Sequence, residues 1–99
     1  MLELNVMGRK IKVTGEGAED CPFVLTGTGP STPVAAEAEH AMLNHWMGKG
    51  NWALMKSSTR STEDGRNLAV LTIRTFDENE ELVQADIYFD ISEAYNLGH

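Results

Sequence analysis

Residues 32–50, TPVAAEAEHAMLNHWMGKG, are the one stretch of this 99-residue chain with both the length and the spacing of an amphipathic helix. Thr32 can serve as the N-cap, and Pro33 fits the first helical position because the N–H it lacks would have no partner there. Gly48 or Gly50 can end the helix in a left-handed conformation. The sequence therefore predicts one main helix between two groups of strands.

One face of this helix is expected to be buried. Spacings of three and four predict a stripe made of Val34, Ala38, Ala41, Met42, His45 and Trp46. Glu37 and Glu39 are expected towards the positive end of the helix dipole. If Trp46 is a core residue, its replacement by alanine should cost roughly 3–5 kcal/mol.

Strand patterns lie on both sides of the helix. Before it, residues 2–6 and 10–14 alternate around a turn at Gly8-Arg9, and residues 21–26 form a third strand. After it come strands at 52–62, 68–76 and 82–91. The last alternates strictly, which predicts one face on the core and one in water. The order β-β-β-α-β-β-β predicts an α+β fold: an antiparallel sheet of about six strands with the helix on one face.

Length and composition predict a single domain covering residues 1–99. With 41% hydrophobic and 23% charged residues, the chain is typical of globular proteins, and no apolar run is long enough to cross a membrane. Cys21 is the single cysteine, and the N-terminus shows no secretory signal. Together these features predict a cytoplasmic protein.

The net charge of −7 is unevenly distributed. Residues 1–76 carry equal numbers of acidic and basic side chains, whereas residues 77–99 carry seven acids and no lysine or arginine. Such an acidic region repels nucleic acid and attracts basic partners. We therefore expect a protein partner rather than direct binding to nucleic acid or to a membrane.

Four patterns could carry chemistry, and each fails on spacing or composition. Residues 26–32, TGTGPST, could cradle a phosphate or carboxylate, but Pro30 and Pro33 remove donors and neither glycine-rich phosphate motif is matched. Glu37, His40 and His45 do not have metal-ligand spacing. The remaining patterns are possible nucleophiles (Cys21, Ser57, Ser58, Ser61) and a weakly basic segment (Lys49, Lys56, Arg60, Arg66, with Trp52). The sequence thus predicts no catalytic residue, cofactor or metal, and a protein that is not an enzyme.

The acidic last hairpin is the predicted partner-binding surface. Its side chains are expected to form a row on the exposed face and around the preceding turn, where they could steer a basic partner. Arg74 is expected to pair with Asp86 from the neighbouring strand. The predicted contact residues are Asp77, Glu78, Glu80, Glu81, Asp86, Tyr88 and Asp90. The same charges could instead serve only to keep an exposed strand from aggregating.

Residues 76–91, FDENEELVQADIYFDI, resemble the closing hairpin of the ketosteroid-isomerase-like, cone-shaped families. In those families a strand, an acidic turn and an aromatic-acidic strand end the domain. The resemblance covers 16 of the 99 residues and includes no catalytic residue to transfer. Those families usually begin with long helices, whereas this chain begins with strands, so the resemblance does not assign it to them.

Two functional hypotheses follow. In the first, the chain is a small acidic binding or inhibitor protein that covers a basic, nucleic-acid-binding protein surface, as phage antidefence proteins and immunity proteins do. In the second, it is a ligand-binding or isomerase-like domain with a pocket between helix and sheet, lined by Met42, His45, Trp46, Trp52 and Tyr88. An apolar cavity of ~300 Å³ or more with a convergent acid or histidine would support the second. A structural subunit of a homo-oligomer is a third interpretation.

Overall fold

The computed structural model describes residues 2–95 and has the predicted α+β composition, six strands with one main helix. In chain order the elements are β1 (Leu2–Val6), β2 (Arg9–Thr14), β3 (Phe23–Thr26), α1 (Thr32–Met47), β4 (Trp52–Ser61), β5 (Asn67–Phe76), β6 (Leu82–Asp90) and the short α2 (Ser92–Tyr95). Within residues 2–95, no helix is long and apolar enough to span a bilayer.

The sheet is mixed, so the prediction of an entirely antiparallel sheet is wrong. Its strand order is β1-β2-β3-β6-β5-β4. Two antiparallel units, β1–β3 and β4–β6, meet where Phe23 pairs with Phe89 and Val24 with Asp90 in parallel register. The parallel contact arises because α1 carries the chain from the middle of the sheet to its far edge, from which two hairpins return to β3.

The first hairpin is formed as predicted, but its turn lies one residue earlier. Met7 and Gly8 both have positive φ, 50° and 78°, and Arg9 already belongs to β2. Positive φ at both central positions is the geometry that matches the twist of the flanking strands. The turn therefore uses a non-glycine residue at a left-handed position.

The capping of α1 differs in detail from the prediction. Ser31, not Thr32, is the N-cap, and its Oγ accepts the Val34 N–H at 3.4 Å. At the other end, Gly48 has a φ of 90° but a ψ of 137°, which lies outside the left-handed helical region. Its N–H still donates to the Asn44 carbonyl at 3.0 Å, so the helix ends where glycine was expected.

The buried face of α1 is rotated relative to the predicted stripe. The helix buries Val34, Ala35, Ala38, Glu39, Met42 and Leu43 against the sheet. His45 is exposed, and Trp46 is 50% exposed, which corrects their assignment to the core. Both lie in the last helical turn, where the Trp46 and Phe23 rings pack edge to face with centroids 5.4 Å apart.

Strand β4 forms one edge of the sheet. Every residue of β4 except Trp52 is exposed, and β4 pairs with β5 alone. A register shift between Leu54 and Lys56 places a bulge in this strand. Bulges and charged side chains on an edge strand discourage pairing with another chain.

Candidate functional site

A groove of about 460 Å³ lies between the N-terminal half of α1 and strands β4 and β5. At the C-terminal half of the helix the two elements are joined by a hydrogen bond in which Trp52 Nε1 donates to Asn44 Oδ1 at 2.9 Å. Further along β4 the facing side chains are small on both sides, so the space between helix and sheet is not filled. The lining residues are Thr32, Pro33, Ala35, Ala36, Glu39, Ser57, Ser58, Thr59, Ala69, Leu71 and Ile91.

Glu39 is the acid of this groove. Its residue is only 7% exposed, although Glu39 did not belong to the predicted buried stripe. Burial alone raises the pKa of its carboxyl to about 7, since no charged or hydrogen-bonding group among residues 2–95 offsets the desolvation. The groove thus joins an apolar wall to a carboxyl group whose charge no neighbour compensates.

The residues predicted to line a pocket do not form one. None of Met42, His45, Trp46, Trp52 and Tyr88 lines the groove between helix and sheet. Ser57 and Ser58 do line it, although the sequence had indicated them only as possible nucleophiles. The signal for Glu39 was its spacing, because it lies four residues after Ala35 and four before Leu43, both of which are buried.

The sequence 26–32 forms an anion cradle that an internal carboxylate occupies. The Glu93 Oε2 accepts the N–H groups of Gly27 and Gly29, both at 2.8 Å, and the Thr28 hydroxyl at 3.0 Å. Burial acts to raise the pKa of Glu93, but the donors from Gly29, Thr28 and Gly27 outweigh it and hold the pKa below its usual value. The cradle is therefore a structural contact between α2 and the loop before α1.

The other candidate groups are dispersed. Within residues 2–95, no group of three or more His, Cys, Asp or Glu side chains is arranged to hold a metal ion. The ring of His40 packs edge-on against Trp52 with centroids 5.5 Å apart, whereas Glu37 and His45 are exposed. Arg60 and Arg66 form ion pairs with Glu19 and Asp64 rather than a basic stripe.

The predicted partner-binding residues divide into three positions. Glu78, Glu80 and Glu81 are exposed at the β5–β6 turn, and Asp77 caps that turn by accepting the N–H groups of Asn79 and Glu81 at 2.8 and 3.0 Å. Asp86 and Tyr88 lie on the outer face of β6, away from the helix. Asp90 is only 8% exposed and accepts both the N–H and the hydroxyl of Ser92 at the start of α2.

Basic side chains lie on the same outer face as Asp86 and Tyr88, but among the described residues none forms an ion pair with Asp86. Asp86 pairs with Thr72 rather than with Arg74, and the Thr72 hydroxyl donates to it at 2.7 Å, so the predicted pairing with Arg74 is not the register observed. Lys56 lies in the same row, beyond Thr72. The Arg60 guanidinium lies 5.3 Å from the Tyr88 ring centre, while the Tyr88 hydroxyl donates to Glu19.

The tip of the β5–β6 hairpin is apolar as well as acidic. Phe76 and Leu82 pair across the strands and are 61% and 55% exposed. Glu80 has a φ of 60°, a left-handed backbone position at which glycine would be less strained. We define the hairpin surface as Phe76, Asp77, Glu78, Glu80, Glu81, Leu82, Asp86 and Tyr88.

Comparison with protein-family models, with curated proteins and with solved structures finds no match to this chain. No relative therefore assigns a role to the groove or to the hairpin surface.

Proposed function

We propose that this is a small, non-catalytic binding protein that docks on a basic surface of another protein through the hairpin surface. The observation that carries the proposal is the composition of the β5–β6 tip. The side-chain carboxylates of Glu78, Glu80 and Glu81 make no hydrogen bond or ion pair with another described residue, and two large apolar side chains next to them are more than half exposed.

This composition suits a partner with an apolar cleft rimmed by lysine or arginine. Aromatic and large aliphatic side chains contribute most of the binding energy when they are buried at the centre of an interface. Surrounding charges mainly accelerate encounter and select the partner. Phe76 and Leu82 would supply the buried contact, and Glu78, Glu80 and Glu81 would supply the rim.

The proposed partner is a protein whose basic surface binds nucleic acid, so that docking would inhibit it in the manner of an antidefence or immunity protein. Asp86 and Tyr88 would extend the contact along β6. Asp90 is omitted from the hairpin surface because its carboxylate faces Ser92. The charge excess of residues 77–99 supports a basic partner.

Salt-dependent capture with matched variants tests this proposal. One variant carries Glu78→Gln, Glu80→Gln and Glu81→Gln, and its control carries the same change at the exposed Glu16, Glu37 and Glu63. The native protein and the control should retain the same basic protein from host lysate at low salt and release it at ~1 M salt, where screening is nearly complete.

The hairpin variant should lose that partner while its circular dichroism spectrum is unchanged. The double variant Phe76→Ser and Leu82→Ser should also lose it at low salt, where the native protein retains it. Retention of the partner by the hairpin variant, or retention of no basic protein by the native chain, would refute the proposal. Light scattering on the same samples shows whether the open β4 edge mediates self-association instead.

A second candidate function is supported by the groove. A pocket of ~300 Å³ or more with a convergent acid is expected of a small-ligand-binding or isomerase-like domain, and the open groove of about 460 Å³ with Glu39 in its lining supports this candidate. The corresponding test is saturable binding of a small molecule that perturbs the groove residues and is blocked by filling the groove.

A further inference from the structure

We infer that the groove between α1 and β4 binds a small apolar amine, with the ammonium group paired to the Glu39 carboxylate and the hydrocarbon part against Leu71 and Ile91. This inference rests on the second candidate function and names its ligand class. Both apolar contacts are buried residues of the main core, so the floor of the groove is fixed by the fold.

The charge of the groove selects a cation over an anion. No lysine, arginine or histidine is among its lining residues, and Glu39 is the single titratable group among them. The bases of the adjoining strand, Lys56 and Arg60, alternate to the opposite face of the sheet, where Arg60 pairs with Glu19. An anionic ligand would therefore meet an uncompensated carboxylate and no positive charge.

The remaining charged groups on the packed elements do not reach the groove. On α1, Glu37 and His40 are exposed, and on α2 the Glu93 carboxylate is held by the loop at Gly27–Gly29. Strand β5 contributes only Ala69 and Leu71 to the lining. Among the described residues no charged group thus pairs with an ionised Glu39, which leaves its charge to a ligand cation.

A cation is favoured over a neutral molecule because of the cost of a buried charge. An ionised carboxylate in an apolar site is strongly unfavourable unless it is paired and hydrogen-bonded. An ammonium group supplies the charge and up to three donors. The hydroxyls of Ser57 and Thr59, on the facing strand, are placed to accept the donors that Glu39 does not use.

Proton linkage gives each ligand class a different pH profile. The Glu39 carboxyl, with a pKa of about 7, must be ionised to pair with an ammonium ion. The ionised fraction rises from roughly one-tenth at pH 6 to nine-tenths at pH 8, so amine affinity should rise about tenfold over this range. A neutral ligand that accepts a hydrogen bond from protonated Glu39, or an anion, would bind more weakly as the pH rises.

The test compares hexylamine, hexanol and hexanoate, which share a chain and differ in charge. Each is titrated at pH 6, 7 and 8 while the methyl resonances of Ala35, Ala69 and Leu71 are followed by NMR. Glu39→Gln removes the proposed counter-ion, and Glu37→Gln makes the same change at an exposed site on the same helix. Ala36→Leu fills the mouth of the groove from an exposed helical position.

We expect hexylamine to shift these resonances saturably and about tenfold more tightly at pH 8 than at pH 6. Glu39→Gln should weaken it at least tenfold and abolish the pH dependence, Glu37→Gln should have no effect, and Ala36→Leu should block all three probes. Tighter binding of hexanol or hexanoate, or an unchanged amine affinity in Glu39→Gln, overturns the ligand class while leaving a binding groove. If none of the probes binds saturably, both the inference and the second candidate function fail.

Discussion

The Glu93 carboxylate accepts the backbone N–H of Gly29 at 2.8 Å, across 64 residues of chain. The same oxygen accepts the N–H of Gly27 and the hydroxyl of Thr28, which is 1% exposed. One side chain of α2 therefore satisfies three donors in the loop between β3 and α1. This contact joins the end of the described chain to the entry of its main helix.

Replacing Glu93 should destabilise the fold. Glu93→Ala leaves the N–H groups of Gly27 and Gly29 without their acceptor, whereas the Thr28 hydroxyl can still donate to the Gly29 carbonyl. Because the site is partly hydrated we expect a loss of about 1–2 kcal/mol. The measurement is the free energy of unfolding from urea denaturation at pH 7. Glu81→Ala, at an exposed acid of the β5–β6 turn, is the control and should change it by less than about 0.5 kcal/mol.

The pH dependence of the Glu93 effect has a defined sign. Because its pKa is lowered in the folded state, the stability it contributes is present above its unfolded pKa and is lost as the pH falls through the folded value. The difference between the native protein and Glu93→Ala should therefore shrink in acid. A difference that stays constant down to strongly acidic pH would contradict the assigned contact.

Ionisation of Glu39 should lower the stability of the fold, whereas ionisation of Glu93 raises it. Its pKa is raised from 4.5 to about 7, so the folded protein holds a proton that the unfolded chain releases, and stability falls as the pH rises between these values. Above pH 7 the cost of the buried charge reaches about 3 kcal/mol. Glu39→Gln should therefore be more stable than the native protein at pH 8 and nearly equal to it at pH 4.

Urea denaturation at pH 4, 6 and 8 measures this difference, with Glu37→Gln as the matched control on the exposed face of α1. Equal pH profiles for the native protein and Glu39→Gln would show that water or a rearranged side chain solvates the carboxylate. The same comparison repeated with hexylamine links stability to the proposed ligand, because an ammonium ion should recover part of the lost stability at pH 8.

The elements of this fold were predictable because their signals are local. The 3.6-residue period gave α1, and strict alternation gave β6, whose odd positions Ile87 and Phe89 are buried as expected. The parallel pairing of Phe23 with Phe89 was not predictable, because it depends on the path of the chain after α1. No local pattern distinguishes a returning strand that joins β3 from one that joins β1.

The candidate site was harder to predict than the fold. The groove exists because small residues, such as Ala36 on α1 and Ser57 on β4, do not fill the space between the two elements. A sequence gives side-chain sizes but not which of them face each other. Asp90 illustrates the converse, because its alternation with Asp86 predicted exposure, whereas it is only 8% exposed and its carboxylate bonds to Ser92 at the start of α2.

Because the buried face of α1 is rotated, Leu43→Ala should destabilise the fold more than Trp46→Ala, the opposite of the order expected for a core tryptophan. Leu43 is fully buried, and Leu43→Ala should cost 2–5 kcal/mol according to how far the cavity collapses. Trp46 is half exposed, so Trp46→Ala should cost about 1–2 kcal/mol rather than the larger value expected of a core tryptophan. Urea denaturation of the two variants in parallel decides the order, and a costlier Trp46→Ala would place the tryptophan in the core after all.

Alanine substitutions at Asp90 and Asp86 should differ in their effect on stability, because Asp90 is buried and Asp86 is exposed on the same strand. Asp90 accepts the N–H of Ser92 at 3.0 Å and its hydroxyl at 2.6 Å, and Ser92 Oγ in turn accepts the N–H of Asn67 at 3.0 Å. Asp90→Ala breaks this chain at a half-buried helix start, so we expect a loss of about 1–2 kcal/mol. Asp86→Ala removes one exposed bond to Thr72 and should cost less than about 1 kcal/mol.

The same two variants distinguish an effect on stability from an effect on partner binding. If the hairpin surface binds a basic partner, Asp86→Ala should weaken binding while the unfolding midpoint changes little. Asp90→Ala should lower the unfolding midpoint with little effect on affinity at temperatures where it remains folded, because its carboxylate faces Ser92 rather than solvent. Loss of affinity in Asp90→Ala alone would mean that α2, and not the outer face of β6, contributes the contact.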